Sequence, residues 1–217
     1  MAITYLQALN RTLVRLRESE VTDVTGNDSY TQLIAQFVNE AHEEVEDAYD
    51  WGYQNATASI TIVSGTSTYA LTGWGTDPAI ELVYDSTRSY NLTGPVSNAV
   101  MDELTNTQTS TAQSASHWSP YGVDSSGDLQ LKFFPEPTNG TIKVLGRVKT
   151  GWLTAQGDMI MAPHLPVVDL AYAKAVSERG EDGGMSYEEC MAQYHRNLAR
   201  SVAQDAARGH KNNNWSL

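Results

Sequence analysis

The sequence predicts an α+β protein: a four-helix bundle built from N- and C-terminal helical pairs, with an antiparallel β-region inserted between them. Three observations carry this. Apolar residues recur at helical spacing over residues 4–48 and again over 165–202. They alternate with period two over 58–71 and 129–148. Clusters of Gly, Pro, Ser and Thr separate these blocks. The bundle is assigned to 1–52 and 163–208, the β-region with a long loop to 53–162, and a flexible C-terminal tail to 209–217.

The first helix runs from Thr4 to Arg17, with Leu6, Leu9, Leu13 and Leu16 as its apolar stripe. Thr4 and Gln7 have the spacing of a capping box, in which each side chain satisfies an orphan backbone N–H. A linker, Val21 to Asn27, leads to the second helix, for which Ser29 and Gln32 form another capping box. Tyr30, Leu33, Ile34, Phe37, Val38, Ala41, Val45 and Ala48 hold helical spacing there. Its polar face carries Glu40, Glu43, Glu44, Glu46, Asp47 and Asp50. The helix should stop near Trp51-Gly52, with Gly52 as a left-handed cap.

Beyond Gly52 the period changes. Ala58, Ile60 and Ile62, a turn at Ser64-Gly65-Thr66, then Tyr69 and Leu71 read as a hairpin. Ile80 to Tyr84 is a strand, and Val96 to Leu104 a short helix capped by Ser97. Asn106 to Ser116 is rich in Thr, Ser and Gln without periodicity and reads as a long exposed loop, a length that in a compact domain points to function or mobility. Its Thr107, Thr109 and Thr111 are candidate contact residues. Leu129, Leu131 and Phe133 answer Ile142, Val144 and Val148 as a second hairpin, joined through Pro135 to Gly140 because proline cannot donate to a ladder. Pro163 and Pro166 suit the first turn of a helix ending near Arg179. Ser186 and Glu189 form a capping box for the last helix, whose stripe is Tyr187, Met191, Tyr194, Leu198 and Val202. No acid follows Asp205. Arg208, His210, Lys211 and Trp215 mark a basic, Trp-ended tail expected to be disordered in the free protein.

Composition narrows the function. Of 217 residues, 41% are hydrophobic and 18% charged, which is globular. With 14 Lys+Arg against 26 Asp+Glu the net charge is −12, unsuited to gripping phosphate, though not to enclosing DNA without holding it. The single cysteine, Cys190, excludes an intrachain disulfide and a multi-cysteine metal site. No apolar run reaches the roughly 18–20 residues that span a bilayer, and the first residues do not read as a signal peptide. A soluble protein made in a cytoplasm, with no membrane partner, is expected.

Catalytic motifs are missing. His42-Glu43 opens like a zinc-protease helix, but Glu46 stands where the second His belongs, which leaves a solvated or interface-facing polar stripe. The acids of that helix are neighbours rather than a pair across a cleft. Gly73-Trp74-Gly75 and Gly151-Trp152 could offer sugar-stacking platforms, though a Trp folded back onto the β-core is the preferred reading. No nucleophile elbow or phosphate-binding loop occurs. Cys190, inside an amphipathic helix, reads as a small core or interface residue. His164 caps or packs, and His117 lacks an obvious partner. No catalytic residue, metal or cofactor is expected.

With enzymatic motifs exhausted, the order of elements speaks. A helix ends on Asn39-Glu40-Ala41-His42-Glu43-Glu44-Val45-Glu46-Asp47-Ala48-Tyr49-Asp50-Trp51, and Ala58 to Leu71 follows with its Ser64-Gly65-Thr66 turn. Later come Leu131-Lys132-Phe133-Phe134-Pro135-Glu136-Pro137, Asp158, Pro163, His164 and the Ala-rich Leu170 to Ala175. Over residues 1–205 this order resembles the head–tail adaptor (connector) proteins of tailed bacteriophages, the tail tubular protein A-like group. The linker at Val21–Asn27, the Thr/Ser loop and the basic tail depart from the pattern.

The resemblance implies a structural virion protein of the neck: a ring, commonly of twelve copies, below the portal and above the tail nozzle or tail tube. Genomic DNA would pass through it without specific binding, and the C-terminal extension would reach the portal. Glu40, Glu43, Glu44 and Asp47 would then line the channel or a subunit interface, or remain solvated outer surface. Arg208, His210, Lys211 and Trp215 would dock on the portal, and Thr107, Thr109 and Thr111 would face the tail. The alternative is a monomeric carbohydrate- or peptide-binding module using the Trp-bearing β-region. An enzyme with an unrecognised site is a third class.

Overall fold

A computed structural model describes residues 2–25, 28–107, 114–180 and 185–211, the last three by backbone alone. In chain order come β1 (Ile3–Thr4), α1 (Tyr5–Arg15), α2 (Ser29–Asp47) and a 3₁₀ turn (Gly52–Gln54). There follow β2 (Asn55–Thr61), β3 (Thr68–Ala70), β4 (Ala79–Asp85), β5 (Tyr90–Asn91) and α3 (Asn98–Thr107). The chain closes with β6 (His117–Val123), β7 (Leu129–Phe134), β8 (Thr141–Arg147), β9 (Met159–Ile160), α4 (His164–Arg179) and α5 (Tyr187–Lys211). This is an α+β chain with antiparallel sheets. It divides into two compact units, Met1–Tyr53 with Thr150–Leu217, and Gln54–Lys149. The second crossing therefore falls at Lys149–Thr150, ahead of the expected 162–163, because Leu153, Ile160 and Ala162 bury their side chains among the helices.

In the helical unit, α1, α2 and α4 pack against one another, and α5 lies along α4. Leu9, Leu13, Ile34, Val38, Val45, Trp51 and Val167 fill the core. The Thr4/Gln7 capping box forms, with Gln7 N donating to Thr4 Oγ1 at 3.2 Å and Thr4 N to Gln7 Oε1 at 3.1 Å. The Ser186/Glu189 box forms too. The cap of α2 is Asp28, one residue earlier than expected, with Thr31 N donating to its carboxylate at 2.8 Å. The end of α2 also differs from expectation. The helix stops at Asp47, and the indole of Trp51 turns back to donate to Val45 O at 2.7 Å, satisfying a terminal carbonyl. Gly52 is not left-handed; it opens the 3₁₀ turn.

The β unit corrects both expected hairpins. The strands are where alternation puts them, but their partners are not. β2 pairs with β8 and β3 with β7, so the order is β2-β8-β4-β5 in one sheet and β3-β7-β6 in the other. Each expected hairpin is thus split between two sheets. Both sheets turn apolar faces into one core of Ile60, Leu71, Val83, Trp118, Leu131, Phe133, Ile142 and Val144. Alternation fixes which side of a strand is buried; it does not name the neighbour. Strand β6, which begins at His117 and buries Trp118, carries too little alternation to be seen in the sequence. Gly146 in β8 is dictated by crowding: a Cβ there would lie 2.5 Å from Ala79 O and 3.1 Å from the Trp74 ring.

Helix α3 runs past Leu104 to Thr107, and within it Thr105 and Thr107 donate their hydroxyls back to Met101 O and Glu103 O at 2.7 and 2.6 Å. Thr107 is therefore helical rather than part of the loop. Helix α5 continues through Lys211, two residues past the expected boundary of the C-terminal tail at 209. Ala206, Ala207 and Arg208 are good helix formers, and cations suit a helix C-terminus.

Candidate functional site

The sequence-predicted acids of α2 separate into three environments. Glu40 and Glu44 both meet Lys174 of α4, with Nζ 2.8 and 2.6 Å from their carboxylates. Two of the four residues expected at a channel or subunit interface thus share an internal cation. Glu43 and Asp47 lie on the exposed face. Glu46, placed on the polar face by periodicity, is buried instead. It accepts from Tyr53 Oη at 3.0 Å, Thr150 Oγ1 at 2.7 Å and Thr150 N at 3.1 Å.

His42 lies beside it, buried, with Nε2 3.6 Å from Glu46 Oε1. Burial lowers the His42 pKa, against the pull of the Glu46 and Glu43 carboxylates. His42 is therefore an interior residue and no part of a solvated stripe. Burial and the Glu46 charge together push the Tyr53 phenol upward. Glu46 thus ties the two places where the chain leaves and re-enters the helical unit, Tyr53 and Thr150.

A second buried carboxylate organises the helices. Asp169 of α4 accepts from Arg15 Nη1 at 2.6 Å, Asn197 Nδ2 at 2.6 Å and Gln193 Nε2 at 3.1 Å, joining α1 and α5 to α4. A third polar knot is buried at the centre. Tyr5 Oη donates to Ala35 O at 2.8 Å, while Asn39 exchanges hydrogen bonds with Leu153 N and O at 2.9 and 3.0 Å. Desolvation pushes the Tyr5 phenol up to about 12. Sequence reading missed all three knots. One signal was available for Asp169, a lone acid inside the apolar run Val167-Val168-Asp169-Leu170-Ala171.

Of the expected portal-binding residues, Arg208 is exposed near the end of α5, beside a cleft of about 250 Å³ that Trp51, Tyr53 and Leu165 also line. The backbone of His210 and Lys211 belongs to α5, their side chains lie outside the described residues, and so does Trp215 entirely. Of the expected tail-facing loop, Thr107 is exposed at the end of α3, and Thr109 and Thr111 lie outside the described residues.

The tryptophans divide. Trp74 packs on the β-core, as expected, and its loop is tied by Asp128, which accepts from Gly73 N and Gly75 N, both at 2.9 Å. Those two amides hold the Asp128 carboxyl below its ordinary value. Trp152 is 56% exposed, against the expectation that it folds back. Cys190 is buried with Ala173 and Val176, a core residue. His117 does have a partner, Ser116 Oγ at 2.8 Å from Nδ1. Among the described residues no group of three or more His, Cys, Asp or Glu is arranged to hold a metal ion. No helix among them is long and apolar enough to cross a membrane.

What remains is a set of exposed surfaces on a helical unit knotted by buried polar groups, and comparison with known families decides how to read them. The family model described as SU10 adaptor protein matches residues 3–214, nearly the whole chain. The chain belongs to the SU10 adaptor protein family. It is a phage head–tail adaptor, a structural protein of the virion neck, as the order of elements implied. A comparison with curated proteins gives no match. Nothing in the family match supports the alternative of a monomeric carbohydrate- or peptide-binding module. For an SU10 adaptor the relevant features are surfaces for neighbours, and the knots at Glu46, Asp169 and Asn39 are what hold those surfaces in place.

Proposed function

We propose that this SU10 adaptor assembles as a ring, of twelve copies by family resemblance, seated between the portal and the tail nozzle or tail tube, with genomic DNA passing through. The family match over residues 3–214 carries this reading. Charge supports it. The helical unit has 9 Lys+Arg against 18 Asp+Glu, and the β unit 5 against 8. A ring of such subunits repels the DNA backbone, which suits a passage through which DNA slides.

In this reading α1, α2, α4 and α5 act as one four-helix bundle that builds the ring, with Glu43 and Asp47 among its outward acids. Glu40 and Glu44 contribute less, because Lys174 offsets them. The chain around Thr107, Thr109 and Thr111 faces the tail. Arg208, His210, Lys211 and Trp215 dock on the portal, with Trp215 as the buried anchor and the cations meeting acids.

The test is the mass of particles formed by the purified chain, alone and mixed with the purified portal of the phage that encodes it. Rings on the portal are the expected result, and free monomers are compatible with it. A chain that stays monomeric on the portal refutes the reading. Truncation after Ala207 should leave the fold intact and abolish docking; docking that survives removes the role given to the C-terminal residues.

A further inference from the structure

The helical unit carries two exposed features that the family reading leaves unassigned. The first is a groove of about 320 Å³ between α1 and the start of α4. Val14 and Leu165 line it and are 53% and 43% exposed, with Val168 at its floor. Arg11 lines it as well and has no ion-pair partner among the described residues. Arg15, alongside, is committed to Asp169 at 2.6 Å, and Glu20 is the acid at the groove. Helix α4 begins here, at His164, after an N-cap residue, Pro163, that makes no side-chain cap hydrogen bond, and with no acid in its first turn. Its amide end adds partial positive charge to that of Arg11.

The second feature is the outward stripe of α2. Gln32, Gln36, Glu43 and Asp47 are exposed at spacings of four, seven and four residues, one face of a helix. Its acids crowd toward the C-terminus, where the helix dipole is already negative, and no basic residue stands in the last turn. Lys174 meets Glu40 and Glu44, and Glu43 and Asp47 are exposed on the stripe itself.

The packing sets these features on opposite sides. Helices α1, α2 and α4 each touch the other two. In such a triangle the groove between α1 and α4 opens away from α2, and the outer stripe of α2 points away from the groove. Helix α5 supplies none of the groove's described lining. Two complementary patches on opposite faces of one subunit make a head-to-tail contact, the kind that closes into a ring when the rotation per subunit allows.

We propose that the groove between α1 and α4 of one copy receives the acidic outer edge of α2 from the next copy, Arg11 and the α4 amide end facing Glu43 and Asp47 while Val14 and Leu165 are covered. This rests on the ring reading above and chooses subunit interface over channel lining for these two acids. It commits the groove to a second copy of this chain, because the charge it lacks is the charge that the opposite face exposes.

The test uses the full chain on its purified portal, with ring formation read by particle mass. Reversing the groove charge by Arg11→Glu, or the edge by Glu43→Arg with Asp47→Arg, should each raise the concentration needed for rings by about tenfold or more, since like charges then face each other. The chain carrying all three changes should recover rings. Independently, a Leu165→Cys, Asp47→Cys, Cys190→Ala chain treated with a short bismaleimide should give a ladder of multimers, which keeps the test usable should a reversal variant not fold. Charge-reversed chains that form rings at the original concentration, together with a double-cysteine chain that yields only uncross-linked monomers, overturn this contact and leave the ring reading standing. A chain that never forms rings on its portal overturns both.

Discussion

Replacing Asp169 with alanine removes a buried carboxylate that holds α1 and α5 to α4. Three donors lose their acceptor: Arg15 Nη1 at 2.6 Å, Asn197 Nδ2 at 2.6 Å and Gln193 Nε2 at 3.1 Å. Breaking a buried ion pair by removing one partner costs ~3–5 kcal/mol. The Arg15 side chain is 34% exposed and can turn to water, which moves the figure to the low end, ~3 kcal/mol. At ~2–4 °C per kcal/mol for a chain of this size, the melting transition of the helical unit falls by ~6–12 °C. Far-UV circular dichroism follows that transition, since the unit holds α1, α2, α4 and α5.

A double-mutant cycle with Arg15→Met sharpens the result. The two changes should couple by ~1–3 kcal/mol, because each removes the same contact. A fall below ~2 °C for Asp169→Ala, about 1 kcal/mol on the same scale, would mean that the helices do not depend on this knot. Zero coupling to Arg15 would mean that the ion pair is not its centre.

Three further outcomes are expected. Glu46→Ala removes the acceptor of the Thr150 N–H and hydroxyl and of the Tyr53 phenol; Thr150 is exposed and can turn to water, so the cost is ~1–2 kcal/mol in all. Hydrogen exchange should quicken at residues 150–153, and unchanged protection there refutes the role given to Glu46. Gly146→Ala drives a methyl to 2.5 Å from Ala79 O, a backbone atom of the paired strand, and should cost the β unit ~1–3 kcal/mol or more; a neutral melting curve refutes the crowding. Asp128 has a depressed folded pKa, so its contribution is full above the ordinary carboxylate range, near pH ~4, and is lost as pH falls through the lower folded value. Asp128→Asn should flatten that part of the acid unfolding of the β unit, and an identical acid profile would refute it.

Local signals in the sequence were reliable where the deciding forces are local. The capping boxes at Thr4/Gln7 and Ser186/Glu189 formed because cap and partner lie three residues apart on one turn. The apolar stripe of α1 buried Leu9 and Leu13, and Cys190 went into the core from its place on an amphipathic helix. Signals that needed a distant partner misled. Periodicity put Glu46 and His42 on a polar face, but Thr150 and Tyr53 drew Glu46 inward. Ser29 fitted the cap of α2, yet Asp28, with a carboxylate reaching Thr31 N, took the position. Thr107 read as loop because its polarity hid a hydroxyl that bonds back to its own helix. Of the candidate acids, Glu43, Glu44 and Asp47 are exposed, and Lys174, 134 residues beyond Glu40, had no sequence signal tying it to Glu40 and Glu44.

The sequence by itself determined the α+β character, the order of helices and strands, the acidic charge and, through that order, a resemblance to the phage adaptors. These follow from patterns within a few turns of chain, where spacing alone decides which side chains share a face. Only the tertiary structure decided which strands pair, sending β2 to β8 and β3 to β7 because two sheets had to close over one apolar core. It alone decided which carboxylates are buried, since a charge leaves water only where distant donors converge on it, as Arg15, Gln193 and Asn197 converge on Asp169. The groove between α1 and α4 belongs to the same class: Arg11 and Leu165 lie 154 positions apart, and the packing of two helices makes them one surface.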